Sequence, residues 1–236
     1  MRKFPVPKVF IIIRCFPKSR KNSLNRILDD VILLESNGAD GVFLVSEGSS
    51  ADDILFYCKE LKSLRIKCFE IGVDLETIDK IDHEKIISAF YEKQFDLIKI
   101  NSSSNSLENL SKNNFSENLI LSNTNSKFIS QEDLNDDENE DLEEEKRKMY
   151  FYSDIISAHK IKMEDIIKAR SDLQNNSRLM FFSNDLEKDK IFNCLNAGVT
   201  DFLIEDYFVD FLDQDSFTVF DFNLIKQTVQ IIRDFK

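Results

Sequence analysis

Apolar and polar residues alternate along this chain in a way that predicts strands and helices in turn. Short apolar runs rich in β-branched residues are typical of strands buried on both faces of a parallel sheet. The runs before residue 101 are Val9–Ile13, Gly41–Ser46, Lys67–Val73 and Phe95–Ile100. Apolar residues recur at helical spacing between them, in the segments 24–34, 54–64 and 82–93. This alternation predicts parallel βαβ units with right-handed crossovers.

The same pattern resumes after residue 148. Three further strands are predicted at Met149–Tyr152, Leu179–Phe182 and Asp201–Ile204, and helices are predicted at 161–173, 188–196 and 223–235. A weaker apolar patch, Asn118–Leu121, is a candidate for one more strand. Eight strands alternating with helices predict an α/β fold of the (β/α)8 TIM-barrel type. The barrel is expected to be either complete or irregular and short of the unit around Asn118–Leu121.

The segment between the two halves is different in composition. Residues 101–148 are rich in Asn, Ser, Asp and Glu. Polar tracts and blocks of like charge bury too little apolar surface to offset the entropy of ordering them. We therefore expect three parts: residues 1–100 as the first half of the barrel, 101–148 as a disordered acidic insertion, and 149–236 as the second part.

Charge is concentrated in that insertion. The formal net charge is −12, and the stretch 132–145 carries ten carboxylates without a basic residue, which leaves about −2 for everything else. The folded part therefore lacks the basic face that nucleic acid requires, and no nucleic-acid partner is expected. The acidic stretch is either an expanded loop or a contact site for a protein partner. No apolar run approaches the ~20 residues that span a bilayer.

The cysteines and histidines are scattered. The four cysteines contain no CxxC pair, and His83 and His159 lie far apart. A zinc site needs clustered ligands, so no metal is expected. The short apolar run Phe10–Ile13 does not have the form of a signal peptide. We expect free thiols in a reducing, cytoplasmic compartment.

Glycine is scarce. The chain has five glycines in 236 residues, and none lies between Gly72 and Gly198. Loops that grip phosphates or dinucleotides are usually glycine-rich, because glycine lets the backbone approach the ligand closely. The usual phosphate-binding loops are therefore missing, and no cofactor is expected.

Two segments resemble known phosphate-binding TIM barrels. The stretch 37–55, NGADGVFLVSEGSSADDIL, resembles the second βα unit of the BtpA family and of phosphoribosylanthranilate-isomerase-like barrels. The stretch 183–206 resembles the unit in which those barrels place a Ser-Gly phosphate loop. The resemblance implies a catalytic cysteine after the first strand, where Cys15 stands. In this chain Asn184 follows Ser183, and Glu205 stands where the family offers glycine, so the family's phosphate site is in doubt.

A second resemblance leads to a different fold. The stretch 179–212 is also similar to the last βαβ unit of response-regulator receiver domains. Receivers carry a Lys-Pro pair after that strand, and Glu205-Asp206 stands here instead. The acidic pair and phosphoacceptor of a receiver are not found at their spacing in the first half, so this alternative ranks second. It would require an open five-stranded sheet.

Ligand-facing residues of a TIM barrel lie at the C-terminal ends of the strands. That rule nominates Glu47, Lys99, Asp74 and Cys15 for catalysis and Asn101, Ser183, Asn184 and Glu205 for ligand binding. Lys99 interrupts an apolar strand, and a desolvated lysine can act as a base or form a Schiff base. The alternative is a lysine at the barrel rim, paired with Asp74 or Glu47. His83 is expected to be solvated at a helix start, whereas His159 could reach a site.

Three functions remain open from the sequence. The first is a divergent barrel that is catalytically weak or inactive and serves in binding or assembly. The second is an isomerase- or lyase-like enzyme that acts on a small metabolite through Glu47, Lys99 and Asp74. The third is a receiver-like signalling module.

Overall fold

A computed structural model of the chain describes residues 6–66, 68–101, 119–123, 150–153, 166–167, 170–171, 179–183, 186–205, 209–212 and 218–235. The barrel strands are β1 (Lys8–Cys15), β2 (Gly41–Ser46), β3 (Glu70–Asp74), β4 (Leu97–Asn101), β5 (Leu119–Asn123), β6 (Tyr150–Ser153), β7 (Leu179–Ser183) and β8 (Asp201–Ile204). The helices whose bounds lie within the described residues are α1 (Ser23–Ser36), α2 (Ala51–Ser63), α3 (His83–Tyr91), α4 (Lys188–Asn196) and α5 (Phe222–Arg233). A short hairpin, β9 (Val209–Leu212) with β10 (Thr218–Phe220), lies between β8 and α5.

The eight strands β1 to β8 form one closed parallel barrel in chain order. Closure comes from pairing of β8 with β1, in a register that sets Phe202 beside Val9. Parallel neighbours require crossover connections, and the described helices α1, α2, α3 and α4 lie in such connections. All strand C-termini therefore meet at one end of the barrel.

Alternation of side chains along each strand produces two separate apolar layers. Among the residues whose side chains are described, the buried apolar ones that face the barrel interior come from strands, and they are Phe10, Ile12, Phe43, Val45, Leu97, Met180 and Leu203. Their sequence neighbours, such as Ile11 and Leu44, pack instead against helices in the larger outer cluster. The continuous apolar runs in the sequence follow from this arrangement, because both faces of each strand are buried.

Two of the five glycines make room for phenylalanine rings inside the barrel. Phe10 lies beside Gly41 in register, and Phe43 lies beside Gly72. A Cβ atom at Gly72 would stand only 2.5 Å from the Phe43 ring, and one at Gly41 would stand 2.8 Å from the Phe10 ring. The two rings meet edge to face with centroids 5.8 Å apart. Glycine at these positions is a packing requirement.

Aspartates close the opposite, N-terminal end of the barrel. Asp40 accepts a hydrogen bond of 2.8 Å from the backbone N–H of Val9, and Asp96 accepts one of 2.9 Å from Ile71. Asp201 likewise accepts from the N–H of Lys8 at 3.0 Å. These N–H groups at the strand starts would otherwise lack acceptors in a part-buried position. Asp40, which directly precedes β2, therefore links the start of β2 to the start of β1.

The helices begin and end largely where their sequence signals predict. Ser50 and Asp53 form a reciprocal capping box at the start of α2, with both backbone N–H groups satisfied. Gly38 and Gly198 follow α1 and α4 with φ of +96° and +99°, a left-handed conformation that favours glycine. Helix α1 follows Asn22, which has a left-handed backbone conformation and makes no side-chain capping hydrogen bond.

The predicted fold class is confirmed, and the strand that is weakest in the sequence pattern is present. Residues 119–123 supply β5, which pairs with β4 and β6 and completes the barrel. The weak apolar patch is thus a strand, although most of the segment 101–148 lies outside the described residues, and the three-part division stays a prediction. The receiver-like alternative is wrong, because a receiver needs an open five-stranded sheet and this sheet is closed with eight.

Candidate functional site

The C-terminal end of the barrel carries charged side chains on the interior side of the strands. On β1 the residues Phe10 and Ile12 face the interior, so Arg14, two residues further on, faces the same way. The same alternation places Glu47 after Val45 of β2, and Glu205 after Leu203 of β8. Strands β8, β1 and β2 are neighbours in the barrel, so these three charges converge.

Arg14 lies between two carboxylates. Its Nη1 donates to Glu47 Oε1 at 2.6 Å, and its Nη2 donates to Glu205 Oε1 at 3.2 Å. The side chains are 31%, 36% and 27% exposed for Arg14, Glu47 and Glu205, so the cluster is open to solvent at the barrel mouth. One cation shared by two anions leaves a formal charge of −1 on the cluster. We call these three residues the mouth cluster.

Lys99 and Asp74 form a second ion pair on the adjacent strands β3 and β4. Their Cα atoms are partners in register, and Lys99 Nζ donates to Asp74 Oδ2 at 2.6 Å. The side chains are only 10% and 5% exposed. The alternative in which Lys99 pairs with Asp74 is confirmed. A buried ion pair is weak evidence for stability, because desolvation offsets much of the attraction.

Burial perturbs the acid–base behaviour of Asp74. Its burial raises the pKa of the carboxyl above the usual range, while the Lys99 ammonium and the backbone N–H of Glu76 act in the opposite direction. The Glu76 N–H reaches Asp74 Oδ1 at 3.2 Å, at the start of the short helical turn Leu75–Thr77. Asp74 can therefore hold a proton more readily than an exposed aspartate, in direct contact with an amine.

Cys15 does not reach this end of the barrel interior, which corrects the expectation for it. It stands one residue after Arg14, so its side chain lies on the opposite side of β1, in the outer cluster between sheet and helices. It is 0% exposed, and burial, with a smaller effect of Cys58, raises the pKa of its thiol well above the usual value. A buried neutral thiol without access to the interior cannot serve as a general base there.

The other nominated residues are placed less completely. Asn101 is the last residue of β4 and Ser183 is the last of β7, so both backbones end at the mouth. Asn184 and His159 lie outside the described residues. The expectation that His83 is solvated is wrong: it is 8% exposed, and its Nε2 lies 3.0 Å from the carbonyl oxygen of Ile78.

Few glycines are left for a phosphate-binding loop. Gly48, next to Glu47, has φ of +75°, and a Cβ atom added to it would meet no atom within 4 Å, so it is the glycine with open space at the mouth. The four remaining glycines are used at helix ends and in ring packing. No group of three or more metal-binding side chains comes together among the residues with described positions. Within the same residues, no helix has the length and apolar character to cross a membrane.

Arg14 is the site residue that the sequence-based nominations do not include. In the sequence it flanks an apolar run, and the family resemblance directs attention to the neighbouring Cys15 instead. The available signal is the alternation of side chains: from Phe10 onward every second residue of β1 faces one side, so Arg14 and Cys15 cannot both face the interior. The strand-end rule nominates the carboxylates Glu47 and Glu205 but not the cation that they share.

Comparison with known proteins identifies the fold. No model of a known protein family matches the chain, and no curated protein sequence matches it significantly. Among solved structures, thiamine phosphate pyrophosphorylase from Pyrococcus furiosus is 15% identical, with a TM-score of 0.59 over 95% of each chain. A phosphoribosyl anthranilate isomerase in complex with a reduced ribulose 5-phosphate compound is 11% identical, with a TM-score of 0.60 over 96% of this chain and 98% of that one.

A third similar structure is 7,8-dihydropteroate synthase from Vibrio fischeri ES114. It is 12% identical, with a TM-score of 0.60 over 96% of this chain and 90% of that one. Identities this low establish shared architecture and leave the chemistry open. The resemblance to phosphoribosylanthranilate-isomerase-like barrels is thus confirmed at the level of the fold. This chain has the TIM-barrel fold and is similar in structure to enzymes, two of which have phosphate-bearing compounds in their names.

Proposed function

We propose that this protein binds a small, non-phosphorylated molecule at the mouth of its barrel and is catalytically weak or inactive. The observation that carries the proposal is the Glu205 carboxylate at the end of β8, hydrogen-bonded to Arg14. In TIM barrels the phosphate site is frequently built from the loops after β7 and β8. A phosphate in this position would meet a carboxylate whose neutralising cation is already shared with Glu47.

Backbone chemistry supports the same conclusion. Phosphate loops use glycine so that N–H groups can approach the anion, and the chain has no glycine after Gly198. The mouth cluster has a formal charge of −1, which repels an anion and tolerates a neutral or cationic ligand. The named phosphate compounds of the structurally similar enzymes are therefore poor candidates for this chain.

Thermal unfolding in the presence of ligands tests the proposal. The panel contains phosphate, sulfate and phosphosugars on one side, and unphosphorylated sugars, carboxylic acids and amines on the other. A ligand that binds only the folded state at ~100 times its Kd stabilises it by about 2.7 kcal/mol. In a chain of this size that corresponds to a rise in Tm of roughly 5 to 10 °C. We expect a rise with an unphosphorylated compound and none with the phosphates.

Glu205→Gln sharpens the test, because it removes one of the carboxylates that contact Arg14 while keeping the side-chain shape. We expect the variant to gain stabilisation by sulfate and phosphate that the unmodified protein lacks. Glu70→Gln is the matched control: it removes the same charge from a pair with Lys8, 2.7 Å long, at the other end of the barrel. Stabilisation of the unmodified protein by a phosphosugar, or an equal response of both variants, would overturn the proposal.

The Lys99–Asp74 pair favours a second candidate, an isomerase- or lyase-like enzyme. A buried amine in contact with a carboxyl of raised pKa is a proton-transfer pair, as such reactions require. Turnover of a small metabolite that Lys99→Met abolishes, without loss of the folded state, would establish this candidate. The proposed protein contact through residues 132–145 lies outside the described residues and stays a prediction.

A further inference from the structure

Lys99 is a buried amine inside the barrel with an acid–base partner in direct contact. We propose that Lys99 forms a Schiff base with a small aldehyde or ketone, with Asp74 as its proton acceptor and donor. The proposal rests on the enzyme candidate above and names its nucleophile and its ligand class. It requires a reactive, non-protonated amine in a site from which water can be expelled.

The position of Lys99 meets the steric requirement. It lies two residues after Leu97 on β4, and Leu97 belongs to the apolar cluster that fills the barrel interior. The amine therefore stands at the upper surface of that apolar layer, at the strand ends where TIM barrels bind ligands. The lysine is 8% exposed, so little water surrounds it.

Contact with Asp74 meets the chemical requirement. The 2.6 Å hydrogen bond from Lys99 Nζ to Asp74 Oδ2 provides a direct path for the ammonium proton. Burial of Asp74 makes its carboxyl a better proton holder than an exposed aspartate. The Glu76 N–H donates to the other carboxylate oxygen, Oδ1, which holds the carboxylate in place while Oδ2 exchanges the proton.

The reaction balances with these two residues and the carbonyl compound. The Lys99 ammonium gives a proton to the Asp74 carboxylate, and the amine lone pair forms a bond to the carbonyl carbon. The C=O π electrons move to the carbonyl oxygen. A second proton then passes from the attached nitrogen to that oxygen, which gives a neutral carbinolamine, while the Asp74 carboxyl keeps the first proton. The Asp74 carboxyl then protonates the hydroxyl, water leaves, and the iminium forms. Net change is one ammonium and one carbonyl to one iminium and one water.

Other lysines of the chain provide an internal standard. Lys62 pairs with Asp96 at 2.5 Å, and Lys85 pairs with Asp52 at 2.7 Å. Their side chains are 37% and 45% exposed, against 10% for Lys99. If accessibility alone decided reactivity, Lys99 would be the slowest of the three. Faster reaction at Lys99 than at Lys62 and Lys85 would therefore run against accessibility and support an activated amine.

Reductive trapping of the full chain tests the proposal. The protein is incubated with sodium cyanoborohydride and, separately, pyruvate, glycolaldehyde or acetone, and labelled lysines are quantified by peptide mass spectrometry over time. We expect at least one carbonyl compound to label Lys99 tenfold or more faster than Lys62. Labelling that follows exposure, with Lys85 and Lys62 ahead of Lys99 for all three compounds, would overturn it.

Two variants test whether Asp74 is the residue that exchanges a proton with Lys99. Asp74→Asn should slow labelling of Lys99 by tenfold or more, whereas the matched Asp96→Asn should leave it unchanged. The labelling comparison within the unmodified chain stands even if Asp74→Asn does not fold. Failure here is distinguishable from failure of the binding proposal, because phosphate stabilisation and lysine labelling are measured separately.

Discussion

Replacement of Lys99 by Met tests how strongly the buried ion pair depends on its two charges. The side chains of Lys99 and Asp74 are 10% and 5% exposed, so the carboxylate left behind would have little water around it. Removing one partner of a buried pair costs about 3–5 kcal/mol. Protonation of Asp74 sets an upper limit to this loss of stability, because the variant can neutralise the carboxyl instead of keeping a buried charge.

That upper limit depends on pH, and proton linkage gives the direction of the dependence. Without the ammonium, the pKa of Asp74 in the folded variant rises further above its unfolded value. The folded state then holds a proton that the unfolded state releases, so stability falls as pH rises above about 4. Keeping a carboxyl neutral costs about 1.4 kcal/mol for each pH unit above its unfolded pKa. This neutralisation limits the loss of unfolding free energy to about 4 kcal/mol at pH 7 and about 1.5 kcal/mol at pH 5.

Urea unfolding at pH 5, 6, 7 and 8 measures these losses from the transition midpoints. The double variant Lys99→Met/Asp74→Asn should recover most of the stability, since neither charge remains. Lys62→Met is the matched control, and its partly exposed pair with Asp96 should be worth about 1 kcal/mol or less at every pH. A loss below about 1 kcal/mol at pH 7 for Lys99→Met, independent of pH, would refute the assignment of a desolvated pair.

Three other substitutions probe the interior, a helix and the strand starts. Gly72→Ala places a Cβ atom 2.5 Å from the Phe43 ring, and this overpacking should lower the free energy of unfolding in urea by about 1–3 kcal/mol. Burial raises the pKa of Asp30 to about 7, so stability is lost as pH rises from 4 to 7. Asp30→Asn should flatten that dependence and raise Tm at pH 8; an unchanged profile would contradict this. Asp40→Ala leaves the Val9 N–H without its acceptor and should cost about 1–3 kcal/mol by the same urea assay, with no loss contradicting the proposed link between β1 and β2.

Local chemistry made much of the fold predictable. Continuous apolar runs such as Val9–Ile13 indicate strands that are covered on both sides, and helical periodicity identified the segments between them. The capping signal at Ser50 also depends on adjacent residues alone, so it could be recognised directly. The fifth strand was harder, because its apolar patch is weak and its identity depends on pairing with β4 and β6.

The candidate site was predictable only in its list of residues. The rule that ligands bind at strand C-termini nominates Glu47, Asp74, Lys99 and Glu205. Asp74 ends β3, Glu47 and Glu205 follow β2 and β8, and Lys99 lies within β4 beside Asp74. The rule could not say which charges pair, because partners such as Arg14 and Glu205 are 191 residues apart. The prediction for Cys15 was wrong because it followed the family resemblance. Alternation along β1 places its side chain in the outer cluster instead.

The order and type of the elements can be read from the amino-acid sequence, since backbone propensity, side-chain periodicity and helix caps act over a few residues. The scarcity of glycine for phosphate-binding loops is likewise visible without coordinates. Closure of the barrel, the sharing of Arg14 between Glu47 and Glu205, and the burial of Lys99 against Asp74 become visible only in the folded chain. These depend on strand register and on which neighbours exclude water, and both are properties of contacts between residues distant in the chain.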